Sequence, residues 1–212
     1  MIGEESLGLT RRRSKVLLVD DHPLVRRGLA DLIGREPDLE VCGEAADVAE
    51  ALQEIERCRP DVVVVDLTLK SGHGIDLIEK VAARGDQIKM LVSSMHDEML
   101  FAERVLRAGA MGYVSKQEPP ETLLAAVRQV LRGEVCLSAR MTSRVLHRAL
   151  GSSLTQEGPL ERLSNRELEV FEMIGQGLTT LQIARRLDLS RKTIETHREK
   201  IKQKLNLKNG AE

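Results

Sequence analysis

The 212-residue sequence has no tryptophan, one tyrosine and two phenylalanines, namely Tyr113, Phe101 and Phe171. That scarcity excludes the stacking platforms of single-strand nucleic-acid binders, aromatic cages and the aromatic belts of membrane proteins. Long apolar runs are lacking too. None approaches the roughly 18 residues of a membrane span, and the start, MIGEESLGLTRRR, has no apolar stretch before a small-residue cleavage site. A soluble, cytoplasmic protein without membrane partners is expected. The three cysteines, Cys42, Cys58 and Cys136, are odd in number, and their spacings fit neither a zinc site nor a disulfide framework. They read as reduced thiols packed as small hydrophobes.

What is present is 42% hydrophobic and 31% charged residues, enough for one or two cored domains. The net charge of −1 conceals two different halves. Residues 1–140 carry 19 basic and 24 acidic side chains, net −5, whereas residues 141–212 carry 13 and 9, net +4. Residues 185–208 alone hold nine Lys or Arg against Asp188, Glu195 and Glu199, a net +6 suited to a polyanion.

Along the chain, a polar tail (1–14), expected to be flexible, precedes β-branched runs at 15–20, 39–45, 61–66, 88–94 and 112–115. Helical patterns separate them at 23–34, 47–58, 75–84, 97–108 and 119–131. Unbroken apolar strands are buried on both faces, so the pattern predicts a doubly wound α/β domain over 15–133 with a parallel sheet. Asp47 with Glu50 predicts a helix start, as does Pro120. Residues 134–160 form a linker with a short helix from about 139 to 150, followed by the Gly- and Ser-rich GSSLTQEGP. Residues 161–212 read as purely helical. Ser164/Glu167 and Thr179/Gln182 are two capping boxes, Gly175 and Gly177 a stop, and Ser190 a third cap.

Ligands of such sheets bind beyond the carboxyl ends of the strands. There the sequence places Asp20 and Asp21, Asp66, Ser94 and Lys116, after the first, third, fourth and fifth strands. Carboxylates within ~4 Å would repel by about 4 kcal/mol per pair at an effective dielectric of ~20, so a cation must hold them together. An oxygen-only cluster is Mg²⁺ chemistry, and Lys116 adds a fixed positive charge. These parts suit phosphoryl transfer to a carboxylate, with the central Asp66 as nucleophile.

The segments KVLLVDDHPLVRRGL, VVVVDLTLKSGHG, MLVSSMHDE and RAGAMGYVSK resemble the receiver domains of bacterial two-component response regulators over about residues 15–133. The resemblance implies a flavodoxin-like five-stranded parallel sheet with Asp66 as phosphoacceptor. It makes Asp20, Asp21, Asp66 and the Thr68 backbone carbonyl the metal ligands. Ser94 would hydrogen-bond the phosphoryl group, Lys116 would pair with it, and Ser94 and Tyr113 would form the switch. Lys70 departs from the pattern where the family often has proline. His22 and His96 are expected as solvated loop residues, and His73 and His147 have no phosphorelay role.

In the basic half, LSNRELEVFEMIGQGLTTLQIARRLDLSRKTIETHREKIKQKLNLK reads as helices at about 165–174, 179–187 and 191–204. The last two have helix-turn-helix proportions. Ile194, Ile201 and Leu205 define an apolar face for packing on Leu168, Ile183 and Leu187. The segment resembles the LuxR-type DNA-binding domain of the NarL/FixJ response regulators, a small all-α helix-turn-helix unit. By that resemblance Glu195, Thr196 and Glu199 face bases in the major groove of double-stranded DNA, and two acids there suit cytosine N4. Thr180, Arg191, Lys192, Thr193, Arg198 and Lys202 face phosphates. The family domain continues into a fourth helix used in dimerisation, and after Lys208 that last helix is expected to be truncated, with weaker DNA binding.

Together these resemblances imply a regulator phosphorylated by a sensor histidine kinase with Mg²⁺ and active as a homodimer on DNA. A nucleophilic Asp with later Ser and Lys is also similar to the haloacid-dehalogenase-type phosphatases. Those carry a second Asp two residues on, where this sequence has Thr68, so no turnover enzyme is expected. The complete acidic site argues against a receiver used only for dimerisation.

Overall fold

The computed structural model describes residues 12–150 and 158–207. Most of the tail (1–14), the GSSLTQE part of the linker and the residues after Leu207, where a truncated final helix is expected, lie outside the described residues. Five strands alternate with five helices: β1 (Ser14–Val19), α1 (Pro23–Gly34), β2 (Leu39–Ala45), α2 (Val48–Cys58), β3 (Val62–Val65), α3 (Gly74–Ala83), β4 (Lys89–Ser94), α4 (Glu98–Ala108), β5 (Gly112–Ser115) and α5 (Pro120–Leu131). All pairings are parallel, in the order β2-β1-β3-β4-β5, which is the flavodoxin-like doubly wound arrangement. Then come α6 (Ala139–Ala149), a 3-10 turn (Pro159–Arg162), α7 (Asn165–Gly175), α8 (Thr180–Arg186) and α9 (Arg191–Leu205).

The strands alternate between two apolar layers. Val16, Leu18, Val62 and Val64 pack with Ile33, Leu123 and Val127 beneath α1 and α5. Leu17, Val19, Val63 and Val65 pack with Ile55, Ile78 and Phe101 beneath α2, α3 and α4. This two-sided burial is why the strands read as unbroken valine and leucine runs. The second layer continues through Met141 and Leu163 into Leu168, Met173, Ile183, Leu187, Ile194 and Ile201. The helical unit is thus docked on the α4 side of the sheet through apolar contact.

Local chemistry sets the helix ends. Ser164/Glu167 and Thr179/Gln182 form reciprocal capping boxes, and the Ser190 side chain accepts from Thr193 N. Asp47 caps α2, but Glu50 accepts from Ala46 N (2.8 Å) and not from the cap residue itself. Helix α3 begins one residue earlier than its pattern because the His73 ring accepts from Ile75 N and Asp76 from His73 N. Asp20 and Asp66, read as last strand residues, are instead the first residues beyond β1 and β3. No helix among the described residues is long and apolar enough to cross a membrane.

Candidate functional site

The strand order builds the acidic site. With β1 and β3 adjacent and Val19 opposite Val65, the next residues, Asp20 and Asp66, emerge side by side. Asp66 N donates to Val19 O at 2.8 Å. On the other side, β4 and β5 bring Ser94 opposite Ser115, and Lys116 N donates to Ser94 O at 2.8 Å. This is the crevice where the chain reverses direction across the sheet, the position at which such sheets bind ligands. Gly74 permits the close return of the loop after β3, because a Cβ there would overlap the Asp66 carbonyl oxygen.

Lys116 Nζ donates to Asp20 Oδ2 and to Asp66 Oδ2, each at 2.5 Å. Asp66 Oδ1 accepts from Leu67 N (2.6 Å) and Asp20 Oδ1 from His22 N (2.8 Å). Burial alone would lower the Lys116 pKa, but the Asp66 and Asp20 charges raise it, so the ammonium is retained. Asp21 differs. Burial, and then the Asp20 and Asp66 charges, raise its carboxyl against the opposing pull of His22. Its Oδ1 is buried without a hydrogen bond, and the His22 ring at 2.6 Å meets it only as an ion-pair contact. Asp20, Asp21, His22 and Asp66 can present ligand atoms all within 4.8 Å of one another. An unsatisfied carboxylate oxygen among crowded acids is the donor set of a hard cation.

Asp66, Thr68, Ser94, His96 and Lys116 line one cavity of about 380 Å³, and Arg186 of α8 reaches the same cavity. A larger groove of about 1240 Å³ lies at the opposite end of the strands and contains none of the expected site residues. Its Arg128 is engaged by Glu36 and Asp38, and Arg84 by Glu56. Ser94 is fully buried, and its Oγ accepts a long bond from His96 N (3.4 Å). Tyr113 is buried and donates from its hydroxyl to the His96 carbonyl (2.7 Å).

His96 overturns its reading as a solvated loop residue. It is 8% exposed and lies between two carboxylates of α7, Glu169 and Glu172. Its Nδ1 bonds Glu172 Oε2, while Glu172 Oε1 accepts from Asp97 N (2.9 Å). Thr68 Oγ1 gives its single proton to Glu169 Oε1 (2.5 Å), so its contact with His96 Nε2 (3.0 Å) must have the ring as donor. Both ring nitrogens then carry protons. Burial alone would lower the His96 pKa, but hydrogen bonds and charges from Glu169 and Glu172 raise it to about 9. Burial alone would raise Glu169, but the His96 hydrogen bond and the Arg166 charge hold it at about 2. The result is a buried ionic clamp joining the residues two beyond Asp66 and Ser94 to the helical unit.

Further contacts extend the docking along α4. Arg104 donates to the carbonyls of Leu160 (2.6 Å) and Leu163 (2.7 Å). Arg148 of α6 bridges Glu103 and Glu161, and Arg144 donates to Met99 O (3.1 Å). Sequence reasoning missed Glu169, Glu172, Arg104 and Arg148. No local signal marks them, since the clamp joins residues 76 and 101 positions apart.

The expected DNA-facing residues fall on α8 and α9. Glu195, Thr196 and Glu199 are exposed, as are Arg191 and Lys192; Thr180, Thr193, Arg198 and Lys202 are half-buried. Ile194 and Ile201 are buried on the opposite face. Each outward acid has a cation on its own helix: Arg191 Nε to Glu195 (2.9 Å) and Lys202 Nζ to Glu199 (3.1 Å). In the expected DNA-facing arrangement those pairs would reduce the penalty of two carboxylates near phosphates.

Residues 16–128 match the family described as response regulator receiver domain, and residues 161–212 match bacterial regulatory proteins, luxR family. The oxygen regulatory protein NreC of Staphylococcus epidermidis is 36% identical over 204 residues, covering 93% of this chain and 94% of that protein. Among solved structures, RcsB of Salmonella enterica serovar Typhimurium, bound to a promoter in the presence of phosphomimetic BeF3−, is 27% identical. It covers 94% of this chain and 96% of its own, with a TM-score of 0.62. The response regulator ChrA of a heme-sensing two-component system is 31% identical with a TM-score of 0.53, covering 94% of this chain and 93% of its own.

Proposed function

This chain belongs to the two-component response regulators that join a receiver domain to a LuxR-type DNA-binding domain, and we propose that phosphorylation of Asp66 releases the helical unit from the receiver and thereby controls DNA binding. The observation that carries the reading is the clamp: Thr68 and His96, on the loops around Asp66, are the residues that hold Glu169 and Glu172 of α7.

A sensor histidine kinase in the cytoplasm, or a small phosphodonor, supplies the group. An Asp66 carboxylate oxygen attacks phosphorus, the phosphorus–nitrogen bond of the donor histidine breaks, and the ring nitrogen takes up a proton. Mg²⁺ would be held by Asp20, Asp21, Asp66 and the Thr68 carbonyl, and when bound it neutralises charge on the phosphoryl oxygens. Lys116 is the fixed cation facing the same oxygens, and Ser94 lines the cavity that receives them. The chain accepts the group without acting as a turnover enzyme.

The phosphoryl group brings about −2 of charge beside two buried carboxylates. A Ser94 hydroxyl turned toward it gives up its bond to His96 N, and Tyr113 following it gives up the His96 carbonyl. Both changes loosen the loop that carries the clamp. The docked arrangement leaves Glu195, Thr196 and Glu199 exposed, which supports control through pairing of two DNA-binding units, not through occlusion of the base-facing row. Active protein is then a homodimer in the major groove.

The test is DNA affinity with and without Mg²⁺ and beryllofluoride across a salt series, for wild type and Asp66→Asn. Tighter, dimeric binding by the wild type alone is expected. An equal response from the variant removes Asp66 as acceptor.

A further inference from the structure

We infer that Cys42 and Cys58 form a dithiol site that exchanges with small disulfides to give an intramolecular disulfide, a modification distinct from phosphorylation. The two sulfurs lie 2.7 Å apart, one on edge strand β2 and one on the last residue of α2. The backbone arranges this. Val16 pairs with Val41 and Leu17 with Gly43, so Cys42 is skipped in the β1–β2 ladder as the extra residue of a β-bulge. Val41 packs in the layer beneath α1 and α5 and Cys42 in the layer beneath α2, so Cys42 faces α2 by ordinary alternation, and the bulge re-aims Gly43, after it, toward α2 as well. At Gly43 an added Cβ would displace the end of the Glu54 side chain and meet Leu17 Cδ1 at 3.2 Å.

Two cations border the pair: Arg57 donates to the Cys42 carbonyl (2.8 Å) and Lys15 to the Cys58 carbonyl (3.2 Å). They favour the thiolate needed for exchange. Burial and the neighbouring Cys58 thiol push the Cys42 thiol up to about 12, so Cys42 rests protonated at neutral pH and exchanges slowly. Cys42 is half-buried and Cys58 buried, which makes Cys42 the entry point.

The Cys42 thiolate, its proton lost to water, attacks one sulfur of a low-molecular-weight disulfide and expels a thiolate. Cys58, deprotonated in turn, attacks Cys42 Sγ of the mixed disulfide and expels the second. The two cysteines lose two electrons and two protons, and the small disulfide is reduced to two thiols. Cys136 does not compete within the chain, since it bridges Gly112 at the opposite edge of the sheet.

The experiment incubates the full chain carrying Cys136→Ser with oxidised glutathione and follows intact mass and non-reduced peptides. A loss of about 2 Da, the two hydrogens given up in forming one S–S bond, is expected, with one linked peptide pair containing Cys42 and Cys58, reversed by dithiothreitol. Adding Cys58→Ser should stop the reaction at a single glutathione adduct on Cys42. The proposal is overturned by stable glutathione adducts on both cysteines, by linkage only between chains, or by no reaction of native protein. Cys42→Ser in the same background provides a second variant should Cys58→Ser not fold: the buried Cys58, left alone, should take up glutathione much more slowly than the parent reacts, and a single adduct formed on it at the parent's rate would equally overturn the site.

Discussion

Replacing Glu172 by alanine tests whether the ionic clamp holds the helical unit on the receiver. Glu172 is 9% exposed and makes two bonds across the interface, to the His96 ring and to Asp97 N. Hydrogen bonds involving a charged group contribute about 1.5–3 kcal/mol each, and removing one member of a buried pair costs about 3–5 kcal/mol. Here His96 can regain water once the units separate, so the lower end applies. About 3 kcal/mol is a factor of about 100 in the docking equilibrium. Glu169, Arg104 and the shared apolar layer remain, so the variant stays folded with both cores intact. Hydrogen exchange reads the effect, because the Asp97 amide donates to Glu172 and α7 is the docked helix. Exchange of that amide and of residues 160–175 should accelerate by up to about 100-fold. Glu172→Gln keeps an acceptor and loses the charge, and should fall between the two. If Glu172→Ala protects Asp97 and α7 as well as the wild type does, or matches the surface control Glu134→Ala, the clamp does not hold the units together.

Gly74→Ala should destabilise the receiver by about 1–3 kcal/mol, since the added Cβ overlaps the Asp66 carbonyl oxygen and meets the Leu67 Cα at 3.0 Å; thermal melts with an unchanged midpoint would contradict the packing described. Arg198→Ala should weaken binding to all DNA sequences and reduce the slope of log affinity against log salt by about 1, whereas Glu195→Gln should alter sequence preference and leave that slope in place. Glu167 is buried; burial alone would raise its pKa, but Lys204, at 2.6 Å, and the Ser164 amide lower it below 4.5. Its folded value being depressed, its contribution is complete above pH 4.5 and is lost as pH falls through the lower value. Glu167→Gln should therefore lower the melting temperature at neutral pH and flatten its decline in acid, and an unaltered acid profile would count against that assignment.

Much of this protein is legible without coordinates. Valine runs interrupted by capped amphipathic segments specify strands buried on two faces, and parallel order then brings Asp20, Asp66, Ser94 and Lys116 to one edge, because residues that end adjacent strands are neighbours. The reciprocal caps Ser164/Glu167 and Thr179/Gln182 were equally readable, since a cap acts over three residues. The failures share a different cause. His96 read as a solvated turn residue, and Glu169 and Glu172 had no reading at all, because their partners lie on separate folding units and only docking desolvates them. Cys42 and Cys58 are the packed free thiols that their spacing suggests, and only the seating of α2 on β2 brings their sulfurs together. Sequence periodicity encodes which face of an element is buried and which residues end it. Tertiary structure alone decides what covers a polar residue, since that depends on where a second unit, 70 or more residues away, comes to rest.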